Sequence, residues 1–184
     1  TVLLAEHPGG KLLVTAGLQW GIGSYDLVIS PSSDMIRLNP NGSRDATYAP
    51  DGVINIGDIR DVLVQSDGKT VVAGRRFGQV GLEYRAVVRL NLDGSLDSTF
   101  AHGTTPAFPQ PESWHVTRIL QQPDEKIVVT GFFTRYSGTA RSMITRIQAG
   151  GAVDTSFNPG TGANDTILNA ALQPDGKIII AGLF

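Results

Sequence analysis

Cysteine is absent from the 184-residue chain. That removes disulfides, thiol nucleophiles and cysteine-based zinc sites. Charge is scarce: 17% of residues are charged, and the net charge is −2. A basic face for nucleic acid is therefore not expected. No apolar run approaches the roughly 20 residues of a membrane-spanning helix, so no membrane insertion is expected. The start, Thr1-Val2-Leu3-Leu4-Ala5-Glu6, has no basic region and no cleavage-type ending, so no secretory leader is visible. It also has no initiating Met, and the expectation is a piece cut from a longer chain. The G-x-S-x-G elbow, the phosphate-binding G-x-x-x-x-G-K-[ST] loop and H-E-x-x-H are all missing. His7, His102 and His115 share no spacing with one another or with acidic partners. No catalytic residue, no metal and no cofactor is expected.

What the chain does have is turns and a repeat. It carries 22 Gly and 10 Pro with 41% apolar residues, a turn-rich rather than a disordered composition. Its four lysines, Lys11, Lys69, Lys126 and Lys177, each close a similar turn: His7-Pro8-Gly9-Gly10, Gln65-Ser66-Asp67-Gly68, Gln122-Pro123-Asp124-Glu125 and Gln173-Pro174-Asp175-Gly176. Each lysine precedes an apolar run ending at Gly17, Gly74, Gly131 or Gly182. The lysines lie 58, 57 and 51 residues apart, a period that points to a solenoid or propeller. A second element recurs between them, with Arg37, Arg89 and Arg146 each eight residues before Asp45, Asp97 and Asp154. An aromatic follows each Asp by three residues, at Tyr48, Phe100 and Phe157. Fixed offsets inside a variable period mark rigid units joined by loops of differing length.

Around each lysine turn the flanking segments are short and β-branched, as in Arg60–Gln65 and Lys69–Gly74. They predict a hairpin. A third strand is predicted over Arg85–Asn91, and a fourth segment over Ser95–Phe100. Asp67-Gly68, Asn41-Gly42, Asp93-Gly94 and Gly150-Gly151 suit two-residue type I′ turns. Glu125, where the other lysine turns have Gly, should strain its turn or change its type. The fold class expected is all-β, a β-propeller-like array of antiparallel blades with three or four strands each. The chain holds about three and a third repeats: 1–57, 58–114, 115–165 and a partial 166–184. Bare blade faces at the ends would have to pack on further blades of a longer chain or on another copy, so a homo-oligomer is one expectation.

Gln173–Gly182, Arg89–Phe100 and Phe157-Asn158-Pro159-Gly160-Thr161-Gly162 resemble the delta-60 repeat family. The resemblance covers nearly the whole chain. It implies a β-propeller-like fold and a place in large, mostly bacterial, secreted or cell-surface proteins. It supplies no catalytic residues.

The repeated Arg and Asp suit an intrablade ion pair better than a catalytic pair, because catalysis rarely needs the same pair in every blade. Arg37–Asp45, Arg89–Asp97 and Arg146–Asp154 are therefore expected to be structural, with side chains within about 4 Å. The lysines are expected to be solvated, their stems covering apolar surface. Asn91, Asp93, Ser95 and Asp97 alternate like calcium ligands, yet the third copy has lost these carboxylates, so turn chemistry is favoured. Trp114, just before a first strand, is expected in the core.

The insertions after the second strands, Leu18–Asp34, Arg75–Tyr84 and Phe132–Ser142, are the non-repeated parts. They hold Trp20, Tyr25, Arg75, Arg76, Tyr84, Arg135, Tyr136 and Arg141. Aromatics with Arg on variable loops suit recognition of a protein or a glycan, and adhesion. On that reading Trp20, Tyr25, Tyr84 and Tyr136 should be at least partly exposed. The competing reading has these aromatics packed against neighbouring blades. The leading functional expectation is a non-enzymatic interaction or structural module. The alternative is part of a propeller enzyme, a lyase or a glycoside-active protein, with a site assembled from several blades.

Overall fold

A computed structural model of the chain describes residues 2–16, 35–50, 58–75, 84–101, 103–105 and 114–184. The described residues form strands and no helix. The first sheet runs β1 (Val2–His7), β2 (Lys11–Ala16), β3 (Met35–Leu38). The second is β4 (Asp58–Val64), β5 (Thr70–Arg75), β6 (Tyr84–Leu90) and β7 (Gly103–Thr105), in that order. In the third copy β8 (His115–Gln121) and β9 (Ile127–Phe132) are followed by a small hairpin, β10 (Arg135–Tyr136) and β11 (Thr139–Ala140). The chain then returns as β12 (Ile144–Ile147) to pair with β9. The last sheet is the pair β13 (Ile167–Leu172) and β14 (Ile178–Gly182). Every pairing is antiparallel.

The sheets stack as blades. β1 packs on β4, β4 on β8 and β8 on β13. The second strands β5 and β9 are apolar on both faces because each face has its own core. Val71 and Ala73 of β5 join Val116, Ile119, Val129 and Ile147 of the third blade. Their neighbour Val72 points the other way and joins Leu13, Met35 and Tyr48 of the first blade. In β9, Val129 faces the second blade and Val128 faces Ile167, Ile178 and Ile180 of the last. Val71, Val72, Val128 and Val129 are completely buried. Each contributes roughly 1.5–3 kcal/mol relative to an exposed side chain.

The hairpin turns depart from the expected two-residue type I′ form. The Gln65 carbonyl accepts from Gly68 N at 2.9 Å, and Gln65 N donates to Lys69 O at 2.8 Å. The second turn repeats this at Asn91, Gly94 and Ser95. These are three-residue loops, a type I turn followed by one left-handed glycine, with φ of 81° at Gly68 and 89° at Gly94. The third residue has a use. Asp67 Oδ1 accepts from Lys69 N at 2.9 Å, and Asp93 Oδ1 from Ser95 N at 2.9 Å, so the turn carries its own carboxylate cap. The expected fourth strand at Ser95–Phe100 is also corrected. There the chain makes one bridge, Leu90 to Leu96, and then a turn built on Asp97, while the fourth strand is β7.

Glu125 keeps the turn of its siblings and takes the left-handed conformation, φ 63°, that glycine takes in the other copies. Gly131, next to last in β9, lies opposite the irregularity between Val116 and Arg118 of β8. A Cβ at Gly131 would lie 2.1 Å from the His115 carbonyl oxygen, and one at Gly182 would lie 2.1 Å from that of Thr166. A glycine at the end of the second strand is what lets the two strands close over the bulge.

Two substitutions separate these effects in equilibrium urea unfolding. Glu125→Gly relieves a left-handed non-glycine residue and should stabilise by about 1 kcal/mol. Gly131→Ala drives a methyl into backbone and should destabilise by roughly 2–4 kcal/mol.

Candidate functional site

The fold gathers the repeated polar residues into one cluster in each of the first three blades. The third strand carries the Arg, and the chain turns back after the three-residue loop to place the Asp beside it. Arg Nε donates to Asp Oδ2 at 2.8 Å in all three copies, from Arg37 to Asp45, Arg89 to Asp97 and Arg146 to Asp154. The lysines are not free in water as expected. Lys11 Nζ reaches Asp45 Oδ2 at 2.7 Å, Lys69 reaches Asp97 at 2.8 Å and Lys126 reaches Asp154 at 3.4 Å. The physical reason is position. The lysine stands at or just before the start of the second strand, which pairs with the third, so its head lands next to the carboxylate that the Arg already holds.

The second carboxylate oxygen is equally occupied. Asp97 Oδ1 accepts from Thr99 N at 3.0 Å and Thr99 Oγ1 at 2.6 Å. Asp45 with Thr47, and Asp154 with Ser156, repeat the arrangement. All three aspartates are buried. Their carboxyls are nevertheless held well below the usual carboxylate range. At Asp45 the Lys11 hydrogen bond is the main cause, helped by Thr47. At Asp97 burial opposes the shift, and the bonds from Lys69, Thr99 and Arg89 outweigh it. At Asp154 the Ser156 hydroxyl leads, opposed by burial and helped by Arg146 and Lys126. A carboxylate so stabilised as the anion is a poor proton donor or acceptor near neutrality.

Each Arg also does two further things. Its guanidinium carbon lies over the aromatic ring of its own copy, at 4.5 Å for Arg37 on Tyr48, 4.7 Å for Arg89 on Phe100 and 5.0 Å for Arg146 on Phe157. Its far nitrogen crosses to the next blade: Arg37 Nη1 donates to Leu92 O at 2.7 Å and Arg89 Nη1 to Ala149 O at 2.8 Å. Beside these, Ala49 N donates to Asp93 O at 2.9 Å and Ala101 N to Gly150 O at 2.7 Å. The segment after each aromatic therefore lies on the loop of the following blade. A Cβ at Gly151 would come 2.4 Å from the Ala101 carbonyl oxygen. The cluster is an inter-blade clamp as well as an intrablade one.

The loop residues expected to recognise a partner divide three ways. Trp20, Tyr25 and Arg76 lie outside the described residues, and for Arg75 and Tyr84 only the backbone, in β5 and β6, is described. Arg135 is exposed and Arg141 half-buried. They make local bonds, Arg135 Nη1 to Gly138 O at 2.8 Å and Arg141 Nη1 to Ala140 O at 2.9 Å. Tyr136 contradicts the expected exposure, being 0% exposed. The β10–β11 hairpin turns it inward against Phe133, ring centroids 6.0 Å apart, within the core that also holds Trp114. Burial pushes its hydroxyl well above the usual phenol range. Trp114 is in the core, as its place before a first strand suggested, and its Nε1 donates to Arg135 O at 3.3 Å.

Two further ionisable groups, neither given a role from the sequence, are buried. Asp61 on β4 is buried, and burial raises its carboxyl despite hydrogen bonds from Ile119 N and Val62 N and the nearby Arg118. It ties the second blade to the third through Ile119 N at 2.8 Å and Arg118 Nη1 at 3.3 Å. It pairs with Ala73 just after the β4 irregularity, and it has no counterpart spacing in the repeat that could have singled it out in the sequence. His7 takes the place that Gln has in the other lysine turns. It is buried edge-on to Tyr48, and burial together with Arg37 lowers its pKa. The calcium-like oxygens of the second turn are engaged locally, with Asp93 Oδ1 on Ser95 N and Oγ and Asp97 in its clamp. Among the described residues no three His, Cys, Asp or Glu side chains cluster.

The clamp predicts two losses. Asp97→Ala strands Lys69 and Arg89 and should cost about 3 kcal/mol in chemical denaturation. Acid should separate His7 from the aspartates. The folded pKa of His7 is lowered, so its contribution is complete above the unfolded value of 6.5 and is lost as pH falls below it. The aspartates' contribution is complete above 3.8 and is lost only below that value. Melting temperature followed from pH 7.5 to pH 2 should show both steps, and His7→Gln should remove the upper one alone.

The repeated segments that build this clamp are also the ones that match a known family. The model of a domain of unknown function (DUF5122) beta-propeller matches residues 10–48, 65–100, 122–157 and 173–184. The first three segments run through the lysine turn, the second strand and the Asp-to-aromatic cap, and the fourth covers the lysine turn and β14. No curated protein matches the chain. The match covers well over half of the sequence, and the chain belongs to the DUF5122 beta-propeller family.

Proposed function

We propose that this chain is a non-enzymatic interaction module of a secreted or cell-surface bacterial protein of the delta-60 repeat kind. It holds variable loops on a rigid blade array for a protein or glycan partner. One observation carries the reading: the ionisable groups common to the blades are consumed by the clamp, whereas the loops between second and third strands vary in length and composition. The described example is a built structure. Phe133 and Tyr136 anchor the β10–β11 hairpin in the core, while Thr134, Arg135, Ser137 and Gly138 are exposed at its tip. An exposed Arg on a hairpin held by two buried aromatics can offer planar hydrogen bonding without the entropic cost of ordering a loose loop. The resemblance to the delta-60 repeat supports the extracellular location.

A glycan array, with a parallel pull-down from the surface fraction of a bacterium carrying the protein, tests this. Arg135→Ala, Trp20→Ala and Tyr25→Ala should each leave the melting temperature near that of the parent. At least one should weaken the binding found by roughly tenfold, a loss of about 1.4 kcal/mol. Binding that none of the three changes would remove these loops from the site. Turnover of a bound glycan would favour an enzyme.

A further inference from the structure

The three clamp arginines divide their nitrogens in one way. Nε holds a carboxylate while Nη1 reaches an amide oxygen: Leu92 O for Arg37, Ala149 O for Arg89 and Gln122 Oε1 for Arg146. Arg135 on β10 has the second half alone. Its Nη1 donates to Gly138 O at 2.8 Å, and among the described residues it has no carboxylate partner. The chain around it supplies none either. From Lys126 to Val153 there is no Asp or Glu, against four cations, Lys126, Arg135, Arg141 and Arg146. Asp154 takes up Lys126 and Arg146. Arg141 donates to Ala140 O, and its Nε is buried without a partner. Arg135 and Arg141 thus make a cationic patch on a chain whose net charge is −2.

The hairpin turns Arg135 to solvent and holds it there. Pairing of Arg135 with Ala140 and of Tyr136 with Thr139 sets the two pairs on opposite faces of the ribbon. Tyr136 is buried, so Arg135 and Ala140 share the open face. The cross-strand neighbour is a single methyl group, too short to cover the guanidinium. Both flanks of the third blade are covered, since β8 packs on β4 and on β13, and the hairpin is open all the same. The ribbon is stiff. Arg141 N donates to Thr134 O at 3.0 Å and Met143 N to Phe133 O at 2.8 Å. Of the three described non-glycine residues with positive φ, two belong to it, Ser137 at 45° in the tip turn and Met143 at 63° at the base. Left-handed backbone at such residues costs stability and collects where a fixed geometry is needed.

We propose that the open face of the β10–β11 hairpin binds an acidic glycan, with the Nε–Nη2 edge of Arg135 holding the carboxylate of a uronic acid. The inference rests on the interaction-module reading and narrows its partner. That edge offers two parallel, coplanar donors, which match the two oxygens of a carboxylate. The exposed tip, Ser137 and Gly138, adds a hydroxyl and bare backbone for the sugar ring. A neutral sugar finds no comparable grip. The hairpin exposes no aromatic ring, because Phe133 and Tyr136 are buried, and hydrogen bonds between neutral groups exchange with water at small net gain. The same lack of an exposed aromatic anchor disfavours a protein on this face, since protein hot spots are built on such side chains.

The probes are fluorescently labelled galacturonate, glucuronate and mannuronate oligomers, added to the intact chain and read by anisotropy. At least one should bind saturably, and the same oligomer with its carboxylates reduced to alcohols should not. Arg135→Ala should weaken binding roughly tenfold, and Arg135→Lys nearly as much, because an ammonium keeps the charge and loses the fork. Ala140→Glu places a carboxylate across the ribbon from Arg135 and should abolish binding. Both positions are exposed, and unchanged melting temperatures check that the three variants fold. The proposal is overturned if no uronate binds at millimolar concentration, if the reduced oligomer binds equally, or if Arg135→Lys matches the parent. Dextran sulfate, polyglutamate and a single-stranded oligonucleotide are the rival anions, and equal or tighter Arg135-dependent binding of any of them overturns it in favour of that class. Capture of a protein or a neutral glycan with no uronate bound overturns the acidic ligand alone and leaves the interaction module standing.

Discussion

A clamped, buried carboxylate in each of the first three blades organises this protein. Asp45, Asp97 and Asp154 each sit where three pieces of backbone meet: the start of the second strand through Lys, the third strand through Arg, and the turn toward the aromatic through Thr or Ser. A carboxylate has room for about four such bonds, and here nearly all are made. Burying the charge would be costly if it stood alone. Two cations and two short-range donors offset that cost, and the shift of the carboxyls toward the anion is the signature of the balance. The constraint is local in chain terms, which is why the eight- and three-residue offsets do not vary while the loops between do.

The clamp also couples neighbours. Because a guanidinium is planar and forked, one nitrogen can hold the Asp while another reaches the turn carbonyl of the following blade. Stacked beneath it, the aromatic ring fixes the plane. Apolar burial supplies most of the stabilisation between blades, with Val71 and Val72 facing opposite cores, but it is nondirectional. The Arg-to-carbonyl bond and the adjacent Ala N–H bonds give the stacking a defined register. A site for chemistry would need groups released from this network. The loops after the second strands are where the sequence is freed from it, and the β10–β11 hairpin shows one way such a loop is anchored.

Much of this was legible in the sequence, and what was not has physical reasons. The period, the all-β blades and the Arg–Asp pairing follow from offsets of a few residues, which local geometry translates directly into contact. The lysine partner was hidden although the lysines recur as regularly as the aspartates. Lys69 and Asp97 are 28 residues apart, and only strand pairing brings them together. The turn type was misjudged because Asp-Gly fits both a two-residue and a three-residue loop. Which one forms depends on where the flanking hydrogen bonds close. Asp61 gave no periodic signal at all.

The sequence by itself determined that the chain repeats, that each repeat is a set of short apolar strands and glycine turns, and that one Arg, one Asp and one aromatic form a unit. Those are short-range facts, written in residue type and spacing. Only the tertiary structure decided which side of a strand faced which core, that Tyr136 turned inward beside Phe133, and that Arg37 and Arg89 reach across to another blade. Those outcomes depend on how neighbouring sheets pack, and the orientation of a side chain at a blade boundary is set by a surface that lies 55 to 60 residues away in the chain.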